Sequence, residues 1–228
     1  MRAASLALVG VLTCALPALA RAPVLVELYT SQGCGTCAEA GQLINRLADR
    51  PDLLPLTFSV DTWDYLGWTD TFARPEFGDR QRSFSGHWPR QAIFTPQVVV
   101  AGRGQARADE TETVEKLIRR AEASDHDGPK VRLGHGRATI GDAPGAAAGA
   151  DVWLIRYDPR SQDVEVRKGE NAGRTLTYRN VVRELVKLGR WDGRKRSFVL
   201  PAAKQDGLTS VVVLQKPDGG EVLALASS

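Results

Sequence analysis

Val24-Leu25-Val26-Glu27-Leu28-Tyr29 is followed directly by Thr30-Ser31-Gln32-Gly33-Cys34-Gly35-Thr36-Cys37, and the rest of the chain reads outward from this junction. The first run has a strand's length and its β-branched and aromatic content. Downstream, residues 38–50 put Ala40, Leu43, Ile44, Leu47 and Ala48 on one helical face. The two cysteines therefore stand where a strand feeds the first turn of a helix. Unpaired backbone N–H groups and the positive end of the helix dipole there stabilise a thiolate on the first sulfur. Cys34 is expected to be the exposed nucleophile. Cys37, one turn further in, is expected to resolve a mixed disulfide and release the product.

Cysteine usage sharpens this reading. Arg2, the apolar stretch 3–16 and the triplet Ala18-Leu19-Ala20 read as an export signal over residues 1–20, with cleavage before Arg21. Thr13, where a small residue would be needed, argues against a lipoprotein anchor at Cys14. No later apolar run approaches the roughly 20 residues of a membrane helix. A periplasmic or secreted location in an oxidising compartment is expected, with no membrane insertion after cleavage. Without Cys14, two of the three cysteines remain, both inside one tetrapeptide. That excludes a disulfide scaffold, and a bridge across so small a loop constrains little of the unfolded chain. Redox or sulfur-ligand chemistry is favoured over a structural staple. Zinc is a poor rival, because His87, His126 and His135 show no ligand spacing to complete a site with two sulfurs. No cofactor is expected.

The charge distribution divides the chain. Residues 21–128 carry 12 basic and 16 acidic side chains, residues 129–228 carry 17 and 11, so the halves have net charges of −4 and +6. The basic residues of the second half are scattered among acids without interleaved aromatic rings, which reads as solvated strand faces and not as a nucleic-acid surface. The expected organisation is an α/β domain over residues 21–126, a linker at 127–130 around Asp127-Gly128-Pro129, and an antiparallel, sandwich-like β domain over 131–228.

In the first half, Pro51-Asp52 stops the helix and Leu56-Thr57-Phe58-Ser59-Val60-Asp61 reads as a second strand. Trp63, Tyr65 and Trp68 follow within six residues; they either line a substrate groove beside the thiols or anchor a loop onto the core. Residues 76–88 look partly helical. Thr95-Pro96 immediately precedes the apolar run Val98-Val99-Val100, a place for proline at the first position of a strand. Ala101-Gly102-Arg103-Gly104 turns into a short strand at Gln105-Ala106-Arg107; Gly-Arg-Gly lacks the rest of a dinucleotide fingerprint. Asp109 with Glu112 reads as a capping box for a helix whose apolar face holds Val114, Leu117, Ile118 and Ala121.

In the second half, strands are expected at 131–133, 137–140, 152–157, 164–167, 198–200 and 208–214, with a hairpin at Asp158-Pro159-Arg160-Ser161 and another at Pro217-Asp218-Gly219-Gly220. Residues 175–191 fit a helix or an imperfect strand, and the surrounding β series favours the strand. Asn171, Arg174, Tyr178 and Arg179 form a polar cluster that contacts a partner or anion, or is simply solvated.

The order strand, C-x-x-C, helix, strand, helical insertion, Thr-Pro strand, hairpin, helix resembles the thioredoxin fold: a mixed sheet with helices on both faces. The resemblance implies that Thr95-Pro96 faces the sulfurs as a cis-proline loop. It also implies a possible proton-transfer role for Glu27, one turn residue out of the expected register. Glu27-Leu28-Tyr29-Thr30-Ser31-Gln32-Gly33-Cys34, Asp61-Thr62-Trp63-Asp64-Tyr65-Leu66-Gly67-Trp68, Arg80-Gln81-Arg82, Phe94-Thr95-Pro96-Gln97 and Glu170-Asn171-Ala172-Gly173-Arg174 are similar to an uncharacterised family of secreted bacterial thioredoxin-like proteins. Relatives often carry serine between the cysteines and proline after the second; here Gly35-Thr36 fill the gap and Ala38-Glu39 follow.

The leading expectation is thus an exported thiol–disulfide oxidoreductase acting on protein or small-molecule thiols together with a redox partner. Cys34 and Cys37 would be catalytic, and Gly35, Thr36, Thr95, Pro96, Trp63, Tyr65 and Trp68 would contact substrate. Two alternatives stand beside it: a binding module whose C-x-x-C is a relic, and a Cu(I) carrier using both thiolates. The lone methionine is Met1, which leaves the copper reading without thioether ligands.

Overall fold

A computed structural model describes residues 22–88, 93–124, 128–143 and 149–228. The expected export signal, His126 and parts of the expected linker and of the 141–150 loop lie outside the described residues. The fold is mixed α/β, with a large mixed sheet, three α-helices and additional small sheets among these residues.

Strand β1 (Val24–Thr30) is buried along its whole length because it lies inside the large sheet. It pairs in parallel with β2 (Leu53–Ser59) and antiparallel with β3 (Gln97–Val100). A parallel pair needs a crossover, which α1 (Cys37–Leu47) supplies. β3 turns back into β4 (Gly104–Arg107), and α3 (Thr111–Ala123) follows; α2 (Pro75–Phe84) starts with proline at its first turn, where no N–H is required.

Alternation along β1 sends its two sets of side chains to opposite faces. Val24, Val26 and Leu28 join Ala40, Leu43, Ile44 and Leu47 of α1 and Val114 and Ile118 of α3. Leu25 and Tyr29 join Phe58 and the α2 rings Phe77 and Phe84 on the other face. The apolar periods read in the sequence for α1 and α3 are these buried faces. The expected capping box is absent: Asp109 is engaged by Arg107, 3.0 Å from its Nε, and no side chain caps α3.

The second half contributes β5 (Val131–Gly134), β6 (Arg137–Ile140), β7 (Ala150–Asp158), β8 (Gln162–Glu165), β9 (Thr175–Tyr178), β10 (Val181–Trp191), β11 (Arg196–Val199), β12 (Thr209–Gln215) and β13 (Val222–Ser227). Residues 175–191 are thus strand and not helix. The large sheet runs β13-β12-β7-β10-β2-β1-β3-β4, so four strands of the second half continue the sheet begun by the first. The join is short: Val181 pairs with Thr57, and Asn180 Nδ2 donates to the Pro55 carbonyl at 2.8 Å. β2 begins at Leu53, three residues before the expected Leu56, because Pro55 is accommodated within it.

The sheet β11-β6-β5 packs on the extension through Ala138, Ile140 and Phe198 against Val152, Leu154, Val212 and Leu214. The expected hairpin across residues 158–161 does not form, since β8 pairs with β9 and not with β7. The β8–β9 hairpin lies along α1 instead: Asn45 Nδ2 donates to the Thr177 carbonyl at 3.1 Å, and Arg179 reaches Asp49 at 2.7 Å. Its tip, residues 166–174, is thereby delivered to the start of α1.

Candidate functional site

The end of β1 and the first turn of α1 hold Cys34 and Cys37 as a disulfide with 5.3 Å between their Cα atoms. The Cys37 N–H donates to the Cys34 carbonyl at 3.1 Å and the Cys34 N–H to that of Ser31 at 3.3 Å, so the turn is internally bonded. Cys37 is fully buried. Cys34, expected to be the exposed sulfur, is only 1% exposed. Thr36, which is exposed, brings Oγ1 to 3.5 Å from Cys34 Sγ, and half-exposed Thr95 places its hydroxyl 3.8 Å from the same sulfur.

Thr95 is held in turn. Trp63 Nε1 donates to Thr95 Oγ1 at 2.6 Å, and the Thr95-Pro96 bond is cis, with Pro96 buried beneath it. Tyr65 stacks on Trp63 with ring centroids 6.2 Å apart and is 76% exposed. Trp68 Nε1 donates to Gln32 Oε1 at 2.9 Å. Of the two roles the sequence allowed, the contacts show anchoring: Trp63 ties the loop to Thr95 and Trp68 ties it to Gln32, while Tyr65 lies exposed on Trp63.

Asp70 completes this anchorage. Its Oδ2 accepts the Gln32 N–H at 2.7 Å, and its Oδ1 accepts the N–H groups of Phe72 and Ala73. Burial raises its carboxyl above the ordinary aspartate range, and these three N–H donors oppose that shift.

The third wall comes from the β8–β9 tip. Asn171, fully buried, donates from Nδ2 to the carbonyls of Gln32 at 3.0 Å and Cys34 at 2.7 Å. Arg174 fixes the other end of that amide, donating to Oδ1 at 3.0 Å. Glu170 accepts the Gly35 N–H on Oε2 at 2.7 Å, and its own N–H donates to the Gly33 carbonyl at 3.3 Å. Gly169, at φ +79°, makes the turn that lays the tip against Gly33. The sequence marked Asn171 and Arg174 only as members of a polar cluster facing a partner, an anion or solvent, and it did not single out Glu170. Their one local signal is a Gly-bounded Glu-Asn pair; their contact with the cysteine turn crosses more than 130 residues of chain.

Glu27 does not join the site. Alternation puts it on the α2 face of the sheet, opposite α1. There Arg80 clamps it with Nε to Oε2 at 2.7 Å and NH2 to Oε1 at 2.9 Å, and the Tyr29 hydroxyl donates to Oε2 at 2.7 Å. Burial, with the Glu27 charge beside it, pushes the Tyr29 phenol well above its usual value. The proton-transfer role expected for Glu27 is therefore corrected to that of a buried ion-pair partner.

A family described as a protein of unknown function (DUF1223) matches residues 25–215. An X-ray crystal structure of a structural-genomics protein from Agrobacterium tumefaciens is similar with a TM-score of 0.73 at 27% identity, over 91% of this chain and 95% of that one. HBP35 of Porphyromonas gingivalis is similar at a TM-score of 0.58 and 13% identity, over 91% of this chain and 74% of that one, a likeness of fold alone. No curated protein matches.

Proposed function

This chain belongs to that family of proteins of unknown function, and from that premise we propose that it exchanges thiols and disulfides through Cys34 and Cys37. The observation that carries the reading is the disulfide at the first turn of α1, with the Thr95 hydroxyl beside Cys34 Sγ. We read β1, α1, β2, β3, β4 and α3 as a thioredoxin-like unit on the same ground, together with the cis Thr95-Pro96 turn. Export through residues 1–20 to a periplasmic or extracellular space is part of this proposal, because an oxidising compartment suits such a pair.

In the reduced protein the Cys34 thiolate attacks a substrate disulfide, breaking its S–S bond and releasing one substrate thiolate. The Cys37 thiolate then attacks Cys34 Sγ, releasing the second and leaving the Cys34–Cys37 bond; two electrons pass from protein to substrate. The reverse sequence oxidises a dithiol. The partner approaches from the side of Thr36 and Gly35, and Tyr65 offers an apolar ring to a peptide running past Thr95. Alkylation of the reduced protein across pH tests the assignment. Cys34 reacting as a thiolate below the ordinary thiol range supports it, and reactivity that rises only along an ordinary thiol titration, near pH 8.5, counts against it.

A further inference from the structure

We propose that Glu170 sets the redox equilibrium of the cysteine pair: its carboxylate occupies the positive end of α1 and competes there with the Cys34 thiolate. The inference rests on the exchange reading above and deepens it, by making a residue of the β8–β9 tip a positioning residue for chemistry in the first turn of α1.

Three observations on the tip carry it. Glu170 Oε2 accepts the Gly35 N–H at 2.7 Å, in the turn that enters α1 two residues before the helix begins at Cys37, which sets the carboxylate beside the helix's positive end. The tip is also built to stay there. Asn171 is fully buried and bonded to two carbonyls of the cysteine turn, Arg174 holds the Asn171 amide, and the Gly173 and Val166 N–H groups close the loop at 2.8 and 2.9 Å. Finally, Gly35 leaves room for the carboxylate, since a Cβ there would come within 2.9 Å of Glu170 Oε2.

The consequence is electrostatic. Reduction breaks the Cys34–Cys37 bond and adds two electrons, and at neutral or higher pH part of the new charge resides on Cys34 as thiolate. That thiolate draws on the same N–H groups and the same dipole that Glu170 already occupies, and it is repelled by the carboxylate. Glu170 therefore disfavours the dithiol form and makes the pair more reducing. Because Glu170 is solvent-exposed, the effect is screened and modest.

The test equilibrates the isolated protein and its Glu170→Gln variant in graded glutathione/glutathione disulfide buffers and counts free thiols by alkylation. In each cycle two glutathione thiols are oxidised to one disulfide as the Cys34–Cys37 bond is reduced. Glutamine can still accept from Gly35 N–H, so the variant removes the charge and keeps the contact. The expected result is an equilibrium constant shifted about fivefold towards the dithiol, or ~20 mV more oxidising, with the difference shrinking at 1 M salt. A structural role alone would leave this constant unmoved. Equal constants in two proteins that both cycle reversibly would overturn the inference and leave the exchange reading intact. Failure of both proteins to cycle would overturn the exchange reading and the inference with it.

Discussion

Asn171 Nδ2 lies 2.7 Å from the carbonyl oxygen of Cys34, across 137 residues of chain. This bond joins the β-rich half of the protein to the cysteine turn and has no counterpart in local sequence. Asn171→Ala would leave the buried Gln32 carbonyl without its donor and the Cys34 carbonyl with the Cys37 N–H alone. It should lower stability by about 2–3 kcal/mol and speed reduction of the disulfide by dithiothreitol several-fold, as the tip loosens over Gly33. Urea unfolding and stopped-time alkylation read both effects. Unchanged stability would show that the tip is not anchored through this amide.

Arg80 and Glu27 make the second long-range bond that matters, 2.7 Å between Nε and Oε2 with both side chains buried. Arg80→Met strands the carboxylate and should cost about 3–5 kcal/mol. The double variant Glu27→Leu, Arg80→Met should recover at least half of that loss. Neither variant should shift the glutathione equilibrium of the folded protein by more than about twofold, since the pair lies on the sheet face away from α1. A large shift in the double variant would return Glu27 to the chemistry.

Tyr178 gives a pH prediction with a definite sign. Burial, and after it the charge of Asp70, raises its phenol above the ordinary tyrosine value. The unfolded chain therefore releases this proton from about pH 10 while the folded chain retains it. Its contribution to stability is fully present below that pH and is lost as pH rises, by about 1.4 kcal/mol per pH unit. Tyr178→Phe keeps the edge-on contact with Phe72, 5.7 Å between centroids, and removes a buried hydroxyl that has no hydrogen-bond partner among the described residues. The variant should lie within about 1 kcal/mol of wild type at pH 7 and lose stability more slowly above pH 10. Parallel alkaline limbs for the two proteins would contradict this.

Trp63 and Tyr65 separate substrate contact from redox poise. Tyr65→Ser removes an exposed ring, so it should reduce kcat/KM for a disulfide-containing peptide by about three- to tenfold while leaving exchange with glutathione and the equilibrium constant unchanged. Equal losses with peptide and glutathione would place the ring's effect in the cysteine turn and not in peptide contact.

The sequence carried those parts of the fold that depend on local period and local turns. The apolar faces of α1 and α3, the β3–β4 turn and the terminal hairpin were all legible because their residues meet near neighbours. Pro55 hid the start of β2, since a proline inside a run, having no N–H to give a ladder, argues against a strand. The continuation of the sheet through β10 was not legible, because it depends on Val181 meeting Thr57 across more than a hundred residues. At the site, Cys34 and Cys37 were found from their motif, the aromatic loop from composition and Thr95 from the family resemblance. Glu170 was missed, because an acid in a Gly-rich loop carries no periodic signal, and Glu27 was misread because its partner Arg80 lies 53 residues away.

The central claim is tested most directly by the equilibrium potential of the Cys34–Cys37 pair, measured on the wild-type protein in graded glutathione buffers with alkylation to count free thiols. One reversible two-electron transition is expected, abolished when either cysteine is replaced by serine. Cysteines that neither cycle with glutathione nor react with an alkylating agent once reduced would contradict it.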